Sequence, residues 1–277
     1  MRSDADLLKL RKEFPILKRS AYLVSHSMGA MPRDAYAHLK EYADAWAADG
    51  VEAYDAWLPE LTRTADRIGS LFGAPKGTVV MHQNTSTLMS ILISAIHRPD
   101  ARRRKVIYTN LNFPSIHYNW KMHEQLGLEV KIVKSPDGIE IPSDFVMREI
   151  DEETLAVVLD HGIFRSGYLQ DVEEIAKVAR SHGAYTVVDA YQTVGCVPID
   201  VKKWGIEFML GGSHKWLCGG PGAAYMYVRK DLIGKLEPRI TGWFSHARPF
   251  DFDMNMVFAP TAMRFATGTP NIAGIHA

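Results

Sequence analysis

Cysteine is scarce in this sequence, which has only Cys196 and Cys218 among its 277 residues. Two cysteines cannot build a disulfide framework, and their spacing is not the C-x-x-C of redox and zinc motifs. The sequence also lacks any run of about 18 apolar residues, so it predicts no transmembrane helix. Residues 1–14 are charged and helix-like and contain no apolar signal core. Together these absences predict a soluble, cytoplasmic protein.

An excess of charge is missing as well, because 32 lysines and arginines balance 32 aspartates and glutamates. The basic cluster at 102–105 is short and lies just before a predicted strand, where a solvated loop explains it. We therefore expect neither a nucleic acid nor a membrane as a partner. A hydrophobic content of 47% is that of an ordinary globular protein with a sizeable core.

Familiar catalytic motifs are also absent. The run G-G-S-H-K at 211–215 misses the hydrolase elbow G-x-S-x-G, because Lys215 stands where the last glycine belongs. The glycines at 219–222 lack dinucleotide-binding spacing, and no P-loop occurs. No H-E-x-x-H motif or Cys/His cluster indicates zinc, so no metal is expected. The chemistry must therefore come from other residues.

Short apolar runs alternate with amphipathic stretches through most of the sequence. The apolar runs predict strands at 78–81, 105–108, 129–133, 155–159, 185–188, 208–210 and 223–228. Apolar residues spaced three and four apart predict helices at 85–97, 115–125 and 172–181. This alternation predicts an α/β fold with a mostly parallel central sheet and helices on both faces.

Ligands of such sheets bind beyond the carboxyl ends of the strands. Polar or aromatic residues directly follow several of the predicted strands, namely Thr85 with Ser86, Phe113, His161, Asp189 and Lys215. Because the carboxyl ends of parallel strands share one edge of a sheet, these positions predict a single site.

Lys215 follows an apolar run and has small residues around it, which is an unusual setting for a surface lysine. A lysine amine attacks carbonyl groups when burial or a nearby cation lowers its pKa. The commonest cofactor for such a lysine is pyridoxal phosphate (PLP). The ring nitrogen of PLP needs a carboxylate, which Asp189 offers, and its ring face needs an aromatic partner, which Phe113 offers.

The phosphate of PLP suits a helix N-terminus that carries hydroxyl groups. Thr85 and Ser86 open a predicted helix, and Ser213 and His214 adjoin Lys215. Taken singly, each residue has a commoner interpretation, such as a helix cap for Thr85 and Ser86. Only their joint arrangement at successive strand ends indicates a PLP site.

The runs at 187–201 and 211–228 resemble the class V aminotransferase group of fold-type I PLP-dependent enzymes. The resemblance extends from about Tyr22 to the last residue and includes the group's pair of motifs, D-x-x-[QH] and S-x-K. The group contains cysteine desulfurases, kynureninases and small-molecule aminotransferases. Its kynureninase branch is the most similar at 112–115, 237–244 and 264–270.

The resemblance implies a role for each of four residues around the cofactor. Lys215 would bind PLP covalently and then move protons on the substrate carbons. Asp189 would pair with the pyridinium nitrogen, Gln192 would lie near the phenolic oxygen, and Phe113 would stack on the ring. The implied catalytic residues are thus Lys215 and Asp189.

Further implied contacts concern the phosphate and a second subunit. The phosphate would be held by Thr85, Ser86, Ser213 and His214. Trp243 and Thr269 would contact the cofactor across a dimer interface, because the group is typically homodimeric with shared sites.

The resemblance implies an enzyme that acts on an amino acid, and kynureninase-like hydrolysis of kynurenine to anthranilate and alanine is the first expectation. Three positions depart from the kynureninase pattern: His214 replaces a tyrosine, Gln192 a histidine, and Phe164 a polar residue. These departures leave open a class V aminotransferase, a desulfurase-type lyase or a non-catalytic PLP-binding fragment. A dinucleotide-binding domain is a further alternative, although its glycine spacing is missing.

We expect three segments along the chain. Residues 1–20 would form an N-terminal arm, 21–260 the large PLP-binding α/β domain, and 261–277 the start of a connection to a C-terminal small domain. A helical pattern begins at Asn271 and has no stop signal. The resemblance therefore implies the large domain of the PLP-dependent transferase fold type I, with its small domain missing.

Overall fold

A computed structural model describes residues 4–99 and 101–277. In these residues the chain folds around a seven-stranded sheet. Its strands are β1 (Val79–His82), β2 (Lys105–Thr109), β3 (Glu129–Val133), β4 (Thr154–Asp160), β5 (Tyr185–Asp189), β6 (Phe208–Gly212) and β7 (Ala224–Val228). They lie side by side in the order β1-β7-β6-β5-β4-β2-β3.

The described residues also form helices, several of which pack on the two faces of this sheet. They are α1 (Asp4–Lys9), α2 (Ala35–Asp49), α3 (Tyr54–Ser70), α4 (Thr85–Ile96), α5 (Pro114–Met122), α6 (Ser143–Met147), α7 (Val172–Ser181), α8 (Val201–Trp204), α9 (Lys230–Ile233) and α10 (Ile272–His276). Short 3-10 helices lie at Leu10–Glu13, Pro15–Lys18, Gly50–Ala53, His123–Leu126, Trp243–Ser245, Pro249–Asp251 and Ala262–Phe265. Across the part of the chain that the structure describes, no helix combines the length and apolarity needed to cross a membrane.

The sheet is mostly parallel, as predicted. β2 pairs in parallel with β3 and β4, and parallel pairing continues through β5 to β6. β7 is antiparallel to both of its neighbours, β6 and β1. β7 therefore runs opposite to the other six strands, and the carboxyl ends of β1, β2, β4, β5 and β6 share one edge.

The central strands are buried on both faces, because successive side chains point to opposite sides of a sheet. All of β4 is buried. Val157 and Leu159 belong to the apolar core on one face, and Ala156 and Val158 belong to the core on the other. Helix α7 contributes to the first core and α4 to the second. Strands covered on both faces have continuous apolar sequences, which is why L-A-V-V-L predicted β4.

Local capping signals set the helix boundaries near the sheet edge. Asn84 Oδ1 accepts a hydrogen bond from the N–H of Thr87 at 2.9 Å and so caps α4. The predicted helix at 115–125 is α5 followed by a 3-10 helix. Its last turn tightens before Gly127, which has the left-handed backbone of a helix C-terminus.

The segment after residue 260 packs against the sheet. Ala262 and Phe265 are fully buried in the same core as α4. The N–H of Ala262 donates to the carbonyl of Gly77 at 2.9 Å, and α10 contacts α2 and α3. The expected division of the chain at residues 20 and 260 stays a prediction.

Candidate active site

A cavity of about 190 Å³ lies at the edge of the sheet where the parallel strands end. Side chains from α4, α5 and the ends of β4, β5 and β6 line it. Most of the residues predicted from the sequence are among them, namely Thr85, Ser86, Phe113, Asp189, Gln192, His214 and Lys215. The structure does not bring Ser213, Trp243 or Thr269 to this lining.

Lys215 reaches the cavity from the loop after β6. Its Nζ lies 4.8 Å from the centre of the Tyr191 ring and 5.6 Å from the centre of the Phe113 ring. Burial lowers the pKa of this amine, while the carboxylates of Asp189 and Asp160 act in the opposite direction. A lowered pKa increases the fraction of neutral amine, which is the form that attacks a carbonyl carbon.

A buried carboxylate, Asp160, and a half-buried one, Asp189, lie near this amine. Asp160 and Asp189 end β4 and β5 and are paired in the sheet register. Burial raises the pKa of Asp189 to about 6, although its Oδ1 accepts a hydrogen bond from the N–H of Tyr191 at 2.8 Å. Burial and the neighbouring Asp189 raise the pKa of Asp160 well above its usual range. The pair would stabilise a protonated nitrogen on a ligand.

Asp160 is a cavity residue that sequence reasoning missed. Its two oxygens accept hydrogen bonds from Asn112 Nδ2 at 2.6 Å and from the N–H of Phe113 at 2.9 Å. It therefore also anchors the turn before α5. The predicted strand stopped one residue earlier, at Leu159. An available signal was the acidic residue at the end of an apolar run, the same signal that identified Asp189.

His161 does not join the site, contrary to the expectation from its place after a strand. Its Nδ1 lies 2.9 Å from Thr193 Oγ1, and its ring packs edge-on against Trp204 at 4.7 Å between centres. Burial lowers the pKa of His161 to about 4. Neighbouring residues of a strand face opposite sides, so when Asp160 faces the cavity, His161 points away from it.

Thr85 and Ser86 stand at the N-terminus of α4, where backbone N–H groups are free to bind an anion. Neither hydroxyl makes a hydrogen bond to a residue that the structure describes. The cap is provided by Asn84 instead, whose Oδ1 accepts from both the N–H and the hydroxyl of Thr87. The helix-cap interpretation of Thr85 and Ser86 is therefore wrong, and both hydroxyls remain available at the cavity.

His214 and Ser213 differ, although both precede Lys215. His214 lines the cavity, and its Nδ1 lies 2.9 Å from the hydroxyl of Tyr191. Burial and the adjacent Lys215 lower the pKa of His214. Ser213 is buried, and its hydroxyl donates to the carbonyl of Gly220 at 3.0 Å. The geometry thus gives Ser213 a contact within its own loop.

Gln192 lines the cavity while its amide group binds other parts of the chain. Its Nε2 donates to the carbonyl of His26 at 3.0 Å, and its Oε1 accepts from Trp216 Nε1 at 3.2 Å. Gln192 therefore ties the segment near residue 26 to the loop that carries Lys215.

Phe113 and Phe164 form an aromatic wall of the cavity. Their ring centres are 5.2 Å apart and nearly perpendicular. Phe113 precedes Pro114, which begins α5, so helix geometry fixes the position of its backbone.

Trp243 and Thr269 lie apart from this cavity. Trp243 packs in an aromatic cluster with Phe244 at 4.2 Å, Phe250 at 5.5 Å and Phe252 at 6.0 Å between ring centres. Thr269 is exposed. The expected cofactor contacts of these two residues would need a second copy of the chain, and they stay predictions.

The residues of the cavity fit PLP. The amine of Lys215 suits the aldehyde of PLP, Asp189 suits its ring nitrogen, and the hydroxyl-bearing start of α4 suits its phosphate. Among the described residues, no three histidine, cysteine, aspartate or glutamate side chains come together as metal ligands.

Sequence comparisons agree with the conclusion that the cavity residues fit PLP. A family model described as aminotransferase class-V matches residues 21–277. An uncharacterized aminotransferase, YcbU of Bacillus subtilis, is 31% identical over 96% of this chain and 70% of its own length. Kynureninases of Shouchella clausii and Pseudomonas fluorescens are each 29% identical over 97% of this chain and 66% of their own length. The chain thus spans about two thirds of these relatives.

Solved structures share the fold. A mutant of C-DES with glycine linked to the PLP cofactor superposes with a TM-score of 0.87 at 18% identity, over 96% of this chain and 71% of its own. A cysteine desulfurase from Thermococcus onnurineus gives 0.84 at 24% identity, over 100% and 69%. Together with the family match, these findings show that the chain belongs to the class-V aminotransferase family and is a PLP-dependent enzyme.

Proposed function

We propose that this enzyme hydrolyses a β-acyl amino acid of the kynurenine type to anthranilate and alanine. The proposal rests on the aromatic wall of the cavity, where Phe164 stands edge to face with Phe113. Phe164 departs from the kynureninase pattern, but because Phe113 would cover the PLP ring, Phe164 is the ring left for an aromatic side chain of the substrate. An aromatic side chain packs favourably against such rings. Similarity to kynureninases over nearly the whole chain supports the same choice.

The cavity residues would divide the binding of PLP among them. Thr85, Ser86 and His214 would hold the phosphate, and Asp189 would pair with the ring nitrogen. Phe113 would cover one face of the ring. When bound, PLP supplies an electron sink that stabilises negative charge at the α carbon of an amino acid.

Lys215 would carry the proton transfers. Burial lowers the pKa of its amine, so a larger fraction of the amine is neutral. The neutral amine can accept a proton from the substrate α carbon. Water would then add to the side-chain carbonyl. The bond between that carbon and the β carbon breaks, and its electron pair stays on the β carbon. The β carbon would take the proton released by the added water. Lys215 would return to the α carbon the proton that it took, which completes alanine. The other product is the aromatic carboxylic acid.

Product analysis tests this reaction. Purified protein is incubated with PLP and L-kynurenine, and we expect anthranilate and alanine in equal amounts. Lys215→Ala should abolish both products, while Lys202→Ala changes an exposed lysine outside the cavity and should have no effect. Absence of anthranilate from a protein that holds PLP on Lys215 would exclude kynurenine hydrolysis.

Transamination is the second candidate. His214 and Gln192 depart from the kynureninase pattern, and the B. subtilis relative carries the name aminotransferase. In this case an amino acid would yield its keto acid, and the amino group would pass to an added keto acid. A keto-acid product without anthranilate would favour this candidate.

Binding of PLP without turnover is separated from both reactions by chemical labelling. Borohydride reduction of the PLP-loaded protein, followed by peptide mapping, should place the label on Lys215. Label on another lysine would remove the role proposed for Lys215. Label on Lys215 without product from any amino acid would indicate a binding protein.

A further inference from the structure

Tyr191 lines the cavity although no sequence motif pointed to it. Its N–H donates to Asp189 Oδ1 at 2.8 Å. The Nζ of Lys215 lies 4.8 Å from its ring centre, and its hydroxyl lies 2.9 Å from His214 Nδ1. One residue thus contacts the acid, the amine and the imidazole of the site.

The hydroxyl of Tyr191 is held closely against β6. A Cβ atom at Gly212 would overlap this hydroxyl, so the absence of a side chain at Gly212 makes room for it. The ring of Tyr191 also lies 5.1 Å from that of His214. Its position is therefore set by packing as well as by the hydrogen bond.

The direction of the hydrogen bond between Tyr191 and His214 follows from the other groups nearby. Burial and the carboxylate of Asp189 raise the pKa of Tyr191, so its hydroxyl keeps its proton. That hydroxyl has no second partner among the described residues, so we infer that its O–H donates to His214 Nδ1. Burial and Lys215 lower the pKa of His214, which keeps the imidazole neutral.

A neutral histidine that accepts at Nδ1 carries its hydrogen on Nε2. His214 Nε2 makes no hydrogen bond to any described residue, and it is not among the buried polar atoms that lack a partner. It is therefore accessible to a ligand in the cavity that His214 lines.

We propose that Tyr191 is a positioning residue that holds His214 as the Nε2–H tautomer, so that this N–H can donate to the phosphate of the cofactor. The phosphate part of the inference rests on the proposed role of His214. The tautomer part concerns the cofactor-free protein and is independent of any reaction.

The first test is the tautomer of His214. Nitrogen-15 spectra of the histidine side chains are recorded on cofactor-free protein, and His214→Ala assigns the signal. We expect hydrogen on Nε2 in the wild type and a mixture of tautomers in Tyr191→Phe. Hydrogen on Nδ1 in the wild type would overturn the proposal, whatever reaction the enzyme catalyses.

The chain offers a matched control for the loss of a tyrosine hydroxyl. The hydroxyl of Tyr108 lies 2.8 Å from His117 Nδ1, and neither residue lines the cavity. Tyr108→Phe deletes a similar hydrogen bond elsewhere. It should leave the His214 signal unchanged.

The second test is affinity for phosphate groups. Dissociation constants of PLP and of inorganic phosphate are measured for wild type, Tyr191→Phe, His214→Ala and the double variant. We expect Tyr191→Phe to weaken both ligands about fivefold, the value of one hydrogen bond. The loss should vanish in the His214→Ala background. An equal loss in both backgrounds, or the same loss in Tyr108→Phe, would mean that Tyr191 acts only through packing and would refute the proposal.

Discussion

Asp189 illustrates how one half-buried side chain contributes to the pH response of the cofactor-free protein. Its pKa is raised to about 6 by burial, whereas an aspartate in an unfolded chain has a pKa of about 4. Between these values the folded protein holds a proton that the unfolded chain has lost. This proton stabilises the folded protein fully when the pH is below the pKa of the unfolded chain, about 4. The stabilisation is lost as the pH rises through the pKa of the folded protein, about 6.

Asparagine at position 189 keeps the size of the side chain but cannot titrate. We expect the free energy of unfolding of the cofactor-free wild type to fall by on the order of 2 kcal/mol from about pH 4 to about pH 6, relative to Asp189→Asn. Urea unfolding at several pH values measures the difference. Asp144→Asn, at an exposed aspartate, is the control. Parallel profiles for wild type and Asp189→Asn would contradict the assignment.

Among the helices and strands, the start of α4 is the element expected to bind the phosphate, because its free N–H groups and hydroxyls lie at the cavity. Asn84 holds this helix start in place. A second helix, α7, begins with an equivalent cap, in which Asp171 Oδ1 accepts from the N–H of Glu174 at 3.0 Å. Helix α7 lies away from the cavity lining. Comparing variants of the two caps therefore distinguishes an effect on helix stability from an effect on cofactor binding.

Alanine at either cap removes the side-chain acceptor of one backbone N–H at a helix N-terminus. At Asn84 it also removes the acceptor of the Thr87 hydroxyl. We expect Asn84→Ala and Asp171→Ala each to lower the free energy of unfolding by about 1 kcal/mol. Only Asn84→Ala should also weaken PLP binding, because it loosens the backbone at Thr85 and Ser86. Equal PLP affinities of the two variants, measured by titration of the cofactor-free proteins, would argue against a phosphate site on α4.

For the whole molecule, exposed apolar side chains lie on the segment 250–257. Met254 is 96% exposed and Phe252 is 73% exposed, and Phe252 stacks on Trp243. Contiguous exposed apolar groups usually mark a surface that binds another protein. We expect this segment to contact a second copy of the chain and to bring Trp243 and Thr269 towards the cavity of that copy.

Serine at position 252 would place a polar group in the expected contact. Light scattering after gel filtration should show a dimeric wild type and a largely monomeric Phe252→Ser variant with weakened PLP binding. Leu126→Ser, at a leucine that is 58% exposed on another surface, is the control and should stay dimeric. A monomeric wild type that binds PLP as tightly as the Phe252→Ser variant would refute the contribution of Trp243 and Thr269 to the cavity of a second copy.

Much of the architecture was predictable because β4, β5, β6 and β7 are covered on both faces. Such strands have a nearly continuous apolar sequence, so they stand out. The C-terminal turn of α5 was less predictable, because the change to a 3-10 helix depends on how Gly127 leads into β3. Helix ends of this kind are set by hydrogen bonds that the apolar pattern does not encode.

The sequence by itself determined the parallel sheet, the sheet edge where the cavity lies, and Lys215, Asp189 and Thr85 as cavity residues. These follow from apolar periodicity and from the rule that parallel strands end at one edge. Only the tertiary structure decided that Asp160 and Tyr191 join them while His161 and Ser213 do not, since a side chain's direction and hydrogen-bond partner depend on residues distant in sequence.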